Sequence, residues 1–164
     1  MGTVKAIRCD FRMIHGQIGS AWIRNLNANK VVLVSEKAAH DDFLKKTMVM
    51  AAPPSCKQVV YTVDEAIEQW NKDRFGPGTI MIIFQYIQEA YEMYNKGFKF
   101  PYLNIANTTN GDDMKHVVRT CNVTKEQQEM LLDLLSKGVK LYAQGLPEES
   151  QADIGGPLQK ITWE

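Results

Sequence analysis

The chain has 164 residues, with 19 basic side chains against 19 acidic ones, 45% hydrophobic residues and 23% charged ones. These are the proportions of one ordinary globular domain with a real core. A formal charge of zero without a basic stripe argues against nucleic acid and membrane headgroups as partners. No apolar run approaches the roughly 20 residues that span a bilayer, and the opening MGTVKAIRCD has no signal-peptide core.

TVKAIRC reads as a short strand, and residues 16 to 27 follow as a helix with Ile18, Ala21, Trp22 and Leu26 on one face. KVVLV is a β-branched run expected to be buried on both sides. Residues 36 to 51 read as one helix, stopped by Pro53 and Pro54. QVVY is the third strand, and Thr62 to Glu65 is a capping box opening a helix with Val63, Ala66, Ile67 and Trp70 inward. After FGPG comes TIMIIF, the most apolar strand and therefore the expected centre of the sheet. Ile87, Ala90, Tyr91 and Tyr94 form another helical stripe, with Gly97 as its C-cap. YLNIA is the fifth strand, followed by the polar loop NTTNGDD and a weaker extended stretch from His116 to Val123. Thr124 and Gln127 cap a helix that turns Leu131, Leu134 and Leu135 to the sheet, Gly138 ends it, and VKLYAQ is the last clear strand.

This alternation predicts an α/β fold: an open, mainly parallel twisted sheet with helices on both faces and right-handed crossovers, in a single domain over residues 1–164. In such a sheet ligands sit at the carboxyl ends of the strands, which points to the loops after Cys9, Val34, Phe84 and Ala106.

The first of these loops lies in RCDFRMIHGQIGSAW, residues 8 to 22. His15 falls at the N-cap of the first helix, where unpaired amides and the helix dipole favour an anion. Gly16 leaves that approach open, and Arg12 offers a fork to phosphate oxygens. Asp10 can hold Arg12, or accept a hydrogen bond from the N–H of one imidazole nitrogen and leave the lone pair of the other free. A neutral imidazole is a usable nucleophile, and with an arginine and helix amides it suits phosphoryl transfer. The same groups would equally serve a non-catalytic or regulatory module that binds a phosphorylated metabolite. The pattern contains no Gly-rich dinucleotide fingerprint, no Walker sequence and no metal-ligand spacing. No cofactor is expected.

The stretch resembles the active-site segment of the enzyme IIB components of the sugar phosphotransferase system, mannose/fructose/sorbose family. Arg8, Asp10, Arg12, Ile14, His15, Gly16, Gln17 and Trp22 match the family pattern, with Met13 and Ile18 as conservative replacements. VVLVSEKAAHDDFLKKTMVMAAP, IIFQ, LNIAN and SKGVKLYAQGLPEE continue the likeness in order over nearly the whole chain. The resemblance implies that His15 accepts a phosphoryl group from a phosphorylated IIA domain and passes it to a sugar entering through membrane IIC and IID subunits. Arg12 and Asp10 are then its catalytic helpers, and Arg12 with the Gly16 and Gln17 amides binds the phosphate. The sugar would be of the mannose, fructose, sorbose or N-acetylated hexosamine class. The chain would be cytoplasmic and peripherally associated with the transporter, and dimers are common in the resembled family. Three departures stand out: Phe11 for a residue that is commonly acidic, Ser35-Glu36 after the second strand, and LNIANTTNGDD for a more glycine-rich loop.

Phe11, Ser35, Phe84, Gln85 and Asn107 are expected to border the site, with a structural role for Phe84 as the equal alternative. His40-Asp41-Asp42 reads as a solvated helix surface, since adjacent helical residues do not share a face. His116 is expected to have no special role, and Met48, Met50 and the tyrosines between 86 and 94 to fill the core. Cys9, Cys56 and Cys121 are expected to be reduced and mostly buried. The tail DIGGPLQKITWE docks either on the domain or on a second subunit.

Overall fold

The computed structural model describes the whole chain apart from the side chain of Gln17. In chain order the elements are β1 (Gly2–Asp10), α1 (Gly16–Leu26), β2 (Lys30–Val34), α2 (Glu36–Ala39), α3 (Asp42–Met50), β3 (Lys57–Tyr61), α4 (Val63–Asp73) and β4 (Gly78–Phe84). Then follow α5 (Ile87–Asn95), β5 (Tyr102–Asn107), β6 (Lys115–Val118), β7 (Cys121–Val123), α6 (Lys125–Ser136), β8 (Lys140–Ala143), β9 (Ala152–Asp153) and α7 (Gly155–Gln159). The main sheet has the order β3-β2-β4-β1-β5-β8-β9, parallel from β3 to β8, with β9 antiparallel at the edge. β6 and β7 form a separate hairpin.

Right-handed crossovers decide which face each helix covers. From β1 the chain moves toward β3, so α1, α2 and α3 lie on one face. From β3 onward it moves toward β8, so α4, α5 and α6 lie on the other. Strand side chains alternate between two apolar clusters accordingly. Ile7, Cys9, Ile80, Ile82, Phe84, Leu103 and Leu141 pack with α4 to α7. Ala6, Val31, Leu33, Met81 and Ile83 pack with Trp22, Ile23 and Ala38.

Several expectations need correction. β4 lies between β2 and β1 and is fully enclosed, but β1 is the middle strand. The helix expected over 36–51 is two helices, because the Asp41 side chain accepts the Leu44 N–H and starts α3 afresh. Met48 packs on the core, whereas Met50 is 82% exposed. The tail folds onto its own domain: Leu158 is buried, and Trp163 Nε1 donates to Gln128 Oε1 at 2.6 Å. The two capping boxes, at Thr62–Glu65 and Thr124–Gln127, form as expected. The three cysteines are free and buried, and burial raises their thiols, that of Cys121 to about 12.

Candidate functional site

β1 hands the chain to α1 on one face, and its neighbour β4 hands it to α5 on the other. The loops after these two strands therefore diverge and leave a crevice at the carboxyl edge, the switch point at which open α/β sheets bind ligands. His15 lies on the loop after β1, at this edge. It occupies the N-cap of α1 in an extended conformation, and its side chain does not cap the helix, which leaves the ring available.

Asp10 organises the loop. It is the last residue of β1 and only 2% exposed. Its Oδ1 accepts the Arg12 backbone N–H at 3.0 Å, and its carbonyl accepts the Met13 N–H at 2.9 Å. Its Oδ2 lies 3.1 Å from His15 Nε2 and 3.8 Å from Arg8 Nη2. The arginine that faces Asp10 is thus Arg8 rather than Arg12, for a reason of strand parity: residues 8 and 10 share a face. Arg8 is held in turn, with Nη1 donating to the Gln144 carbonyl at 3.0 Å and the guanidinium 4.7 Å from the centre of the Trp22 ring. Burial lowers its pKa to about 10 against the opposing pull of Asp10. Arg12 is exposed, and among the described residues no hydrogen bond or ion pair holds its guanidinium.

The backbone of the loop is tight. Met13 adopts φ 59° with its side chain buried, a left-handed conformation that a non-glycine residue rarely takes. Gly16 has φ 48° and open space where a side chain would be, so the first turn of α1 is unobstructed. Gly19 permits contact, since a Cβ there would lie 2.5 Å from Ile14 Cγ1. The first-turn amides at positions 16 and 17 have no helical acceptor. The Gln17 side chain lies outside the described residues.

The residues expected to border the site divide into two groups. Gln85 Nε2 donates to the Phe11 carbonyl at 3.2 Å, and the Asn107 carbonyl accepts the Phe11 N–H at 3.1 Å, so these two hold the loop from below. Ser35 is fully buried, donates to Gln85 Oε1 at 2.5 Å and caps α2. Ser35 therefore supports the loop through Gln85 and has no surface for a ligand. Phe84 does not border the crevice: its parity with Ile80 and Ile82 turns its ring into the core, 6.3 Å from Phe100. His40 and His116 are exposed and bonded locally, to the Glu36 carbonyl and to Asn122.

Sequence reasoning missed Glu89. Its Oε2 accepts the Glu36 N–H at 2.6 Å and its Oε1 the Tyr86 N–H at 3.0 Å, tying the start of α2 to that of α5. Glu36 Oε1 accepts the Val63 N–H at 3.0 Å and adds α4 to the cluster. Burial pushes the Glu89 carboxyl up to about 7, against the two amides that favour its charged form. The available signal was a glutamate three residues into a helix, the position from which it can reach back to the N-cap amide.

An imidazole with one nitrogen engaged by a buried carboxylate, an unpaired arginine and unused helix amides can accept and hold a phosphoryl group. Comparison with known proteins bears on what this arrangement serves. Residues 4–163 match the family model described as PTS system sorbose subfamily IIB component. The chain is 25% identical over 162 residues to the fructose-specific EIIB component of Bacillus subtilis (strain 168), covering 99% of each. It is 22% identical over 154 residues to the mannose-specific EIIAB component of Escherichia coli (strain K12), covering 94% of this chain and 48% of that longer one. The IIBSor domain of the sorbose permease from Klebsiella pneumoniae superposes with a TM-score of 0.87 at 20% identity, over 98% of both chains. The chain belongs to the sorbose-subfamily IIB components of the sugar phosphotransferase system and is a sugar-phosphotransferase subunit of the mannose/sorbose family.

Proposed function

We propose that His15 carries the phosphoryl group, and that it does so on Nδ1. The observation that supports this is the 3.1 Å contact between His15 Nε2 and Asp10 Oδ2. With the Nε2 proton directed at Asp10, the Nδ1 lone pair is the free nucleophile. Arg12 and the first-turn amides of α1 face the incoming equatorial oxygens, where stabilisation of charge matters most. In the first transfer the donor's bond to phosphorus breaks as the Nδ1–P bond forms. In the second the Nδ1–P bond breaks, a sugar hydroxyl oxygen takes the phosphorus, and the hydroxyl proton leaves to solvent.

The donor in this reading is a phosphorylated IIA domain. The mannose relative carries A and B parts in one polypeptide, which supports that pairing. The acceptor sugar is presented by membrane IIC and IID subunits, and the chain acts at the cytoplasmic side of that complex. No helix is long and apolar enough to cross a membrane itself. The exposed Arg12 and half-buried His15 and Phe11 would meet each partner in turn.

Intact-mass analysis after incubation with phosphoenolpyruvate, the general phosphotransferase proteins and a mannose-family IIA tests the proposal. One added phosphate is expected, stable in base, lost in acid and absent from His15→Ala. Phosphorus–nitrogen NMR should place it on Nδ1. Equal phosphorylation of His15→Ala overturns the assignment of the residue, and phosphate on Nε2 overturns that of the nitrogen.

A further inference from the structure

The face of the sheet that carries α1, α2 and α3 is covered only as far as β1. Among the described residues no helix lies over the same face of β5 and β8, and a cavity of about 350 Å³ remains there beside Trp22. Its lining includes three cationic side chains, Lys5, Arg8 and Lys140, and no carboxylate. Arg8 already faces Asp10 at 3.8 Å, whereas Lys5 and Lys140 are exposed and have no carboxylate partner among the described residues, so these two form a local excess suited to an anion.

The site is shaped as well as charged. β1 carries an irregularity between Val4 and Ala6, so Lys5 is the extra residue in the ladder with β4. A bulge of this kind re-aims a side chain. The Lys5 carbonyl freed at that point accepts the Tyr102 hydroxyl at 3.1 Å. Tyr102 and Tyr142 lie side by side on the floor, with ring centres 6.3 Å apart. The wall is rigid, because Gln144, at its edge, bonds Asn104 through both backbone groups and accepts Arg8, and Trp22 Nε1 donates to the Gly145 carbonyl at 2.7 Å. Lys140 Nζ donates to Gln151 Oε1 at 2.9 Å and lies 5.4 Å from the centre of the Tyr142 ring.

We propose that this cavity binds a small phosphorylated sugar, the class of compound that a sugar phosphotransferase produces. Lys5 and Lys140 take the phosphate, and the paired tyrosine faces take the body of the sugar. A volume of about 350 Å³ exceeds what inorganic phosphate fills and lies within the range of small-molecule sites. The binding does not depend on whether His15 carries phosphate; only the choice of a sugar rests on the transferase reading. Side chains link the cavity to the His15 loop, since Arg8 lines it and stands 3.8 Å from the Asp10 oxygen that contacts His15.

The test uses the full, unphosphorylated chain. Glucose 6-phosphate, inorganic phosphate and glucose are titrated separately, with calorimetry for affinity and NMR for location. Saturable binding of glucose 6-phosphate is expected, at least about tenfold tighter than either fragment, and weakening with salt as exposed cations require. It should perturb the Trp22 indole and the His15 ring. The Lys5→Gln/Lys140→Gln double variant, two surface changes that leave the core intact, should lose at least about tenfold in affinity, and Arg12→Ala should lose none. Absence of saturation at millimolar ligand overturns the proposal, as does affinity equal to that of inorganic phosphate. Loss of binding in Arg12→Ala with retention in the lysine variant also overturns it, because the anion would then sit on the His15 loop.

Discussion

Two buried carboxylates stand a few residues from the same crevice, and their surroundings differ in kind. Asp10 faces side chains that carry or can carry positive charge, Arg8 and His15, and it also holds the backbone of its own loop. Glu89 is hydrogen-bonded by backbone amides, those of Glu36 and Tyr86, and burial, with the nearby Glu36 and Glu92 carboxylates, drives its carboxyl up to about 7. The first arrangement orients the His15 ring through one of its nitrogens. The second fastens the starts of α2 and α5 together across the edge of the sheet. The two are joined through a short bridge, in which Ser35 donates to Gln85 and Gln85 donates to the Phe11 carbonyl. A buried acid beside a strained loop thus fixes a side chain that faces the crevice edge, and a buried acid between helix ends serves the frame on which the loop rests.

The sharpest way to break this contrast is Asp10→Asn. The amide keeps the size of the side chain, and its oxygen can still accept the Arg12 N–H, but the His15 ring loses the carboxylate that fixes its tautomer. The rate of phosphohistidine formation should fall on the order of a thousandfold. Rapid-quench measurement with a phosphorylated IIA donor would show it, with circular dichroism confirming the fold. A rate within threefold of the parent would mean that Asp10 only shapes the loop, as Glu89 shapes its helix junction.

Much of this was legible before the fold. Alternating strand and helix patterns gave the mainly parallel sheet though not its strand order, and the capping boxes located α4 and α6. The His15 loop carried enough unlike residue types to be singled out. What escaped had physical reasons. The two-residue β9 and the five-residue α7 are too short to leave a periodic signal, and both are held by tertiary contacts such as that of Leu158. The break between α2 and α3 depends on a single cap at Asp41 inside an otherwise helical run. Phe84 was misplaced because adjacency in sequence was read as adjacency in space; parity sends Phe84 into the core and Gln85 toward the loop. The same parity, applied to residues 8 and 10, would have paired Asp10 with Arg8.

Glu89 gives the next largest effect, in stability. Its carboxyl titrates at about 7 in the folded chain, against an ordinary value of 4.5. Between those two values the native chain holds a proton that the unfolded chain has lost. The contribution of Glu89 to stability therefore declines as pH rises through this window, by up to about 3 kcal/mol, and is constant above it. Urea unfolding of Glu89→Gln at pH 5 and pH 8 should show a correspondingly weaker decline than the parent. Identical pH dependence in the two proteins would remove Glu89 as the titrating group.

The smallest effect tests the bridge. Gln85→Leu removes the donor to the Phe11 carbonyl and the acceptor for Ser35 Oγ, yet Ser35 can still accept the Ala38 N–H and cap α2. A buried hydroxyl left without an acceptor and one lost loop bond together cost about 1–3 kcal/mol. The loop keeps its other restraints, since the Phe11 N–H still reaches the Asn107 carbonyl and Asp10 still accepts from Arg12 and Met13. Denaturation midpoints should therefore fall while phosphorylation slows by less than about tenfold, because the groups that contact the phosphoryl oxygens do not move far. A loss of transfer as large as that of Asp10→Asn would show that the loop's geometry depends on this bridge. The frame built around Glu89 would then govern the reaction through Gln85 as directly as Asp10 does through the ring.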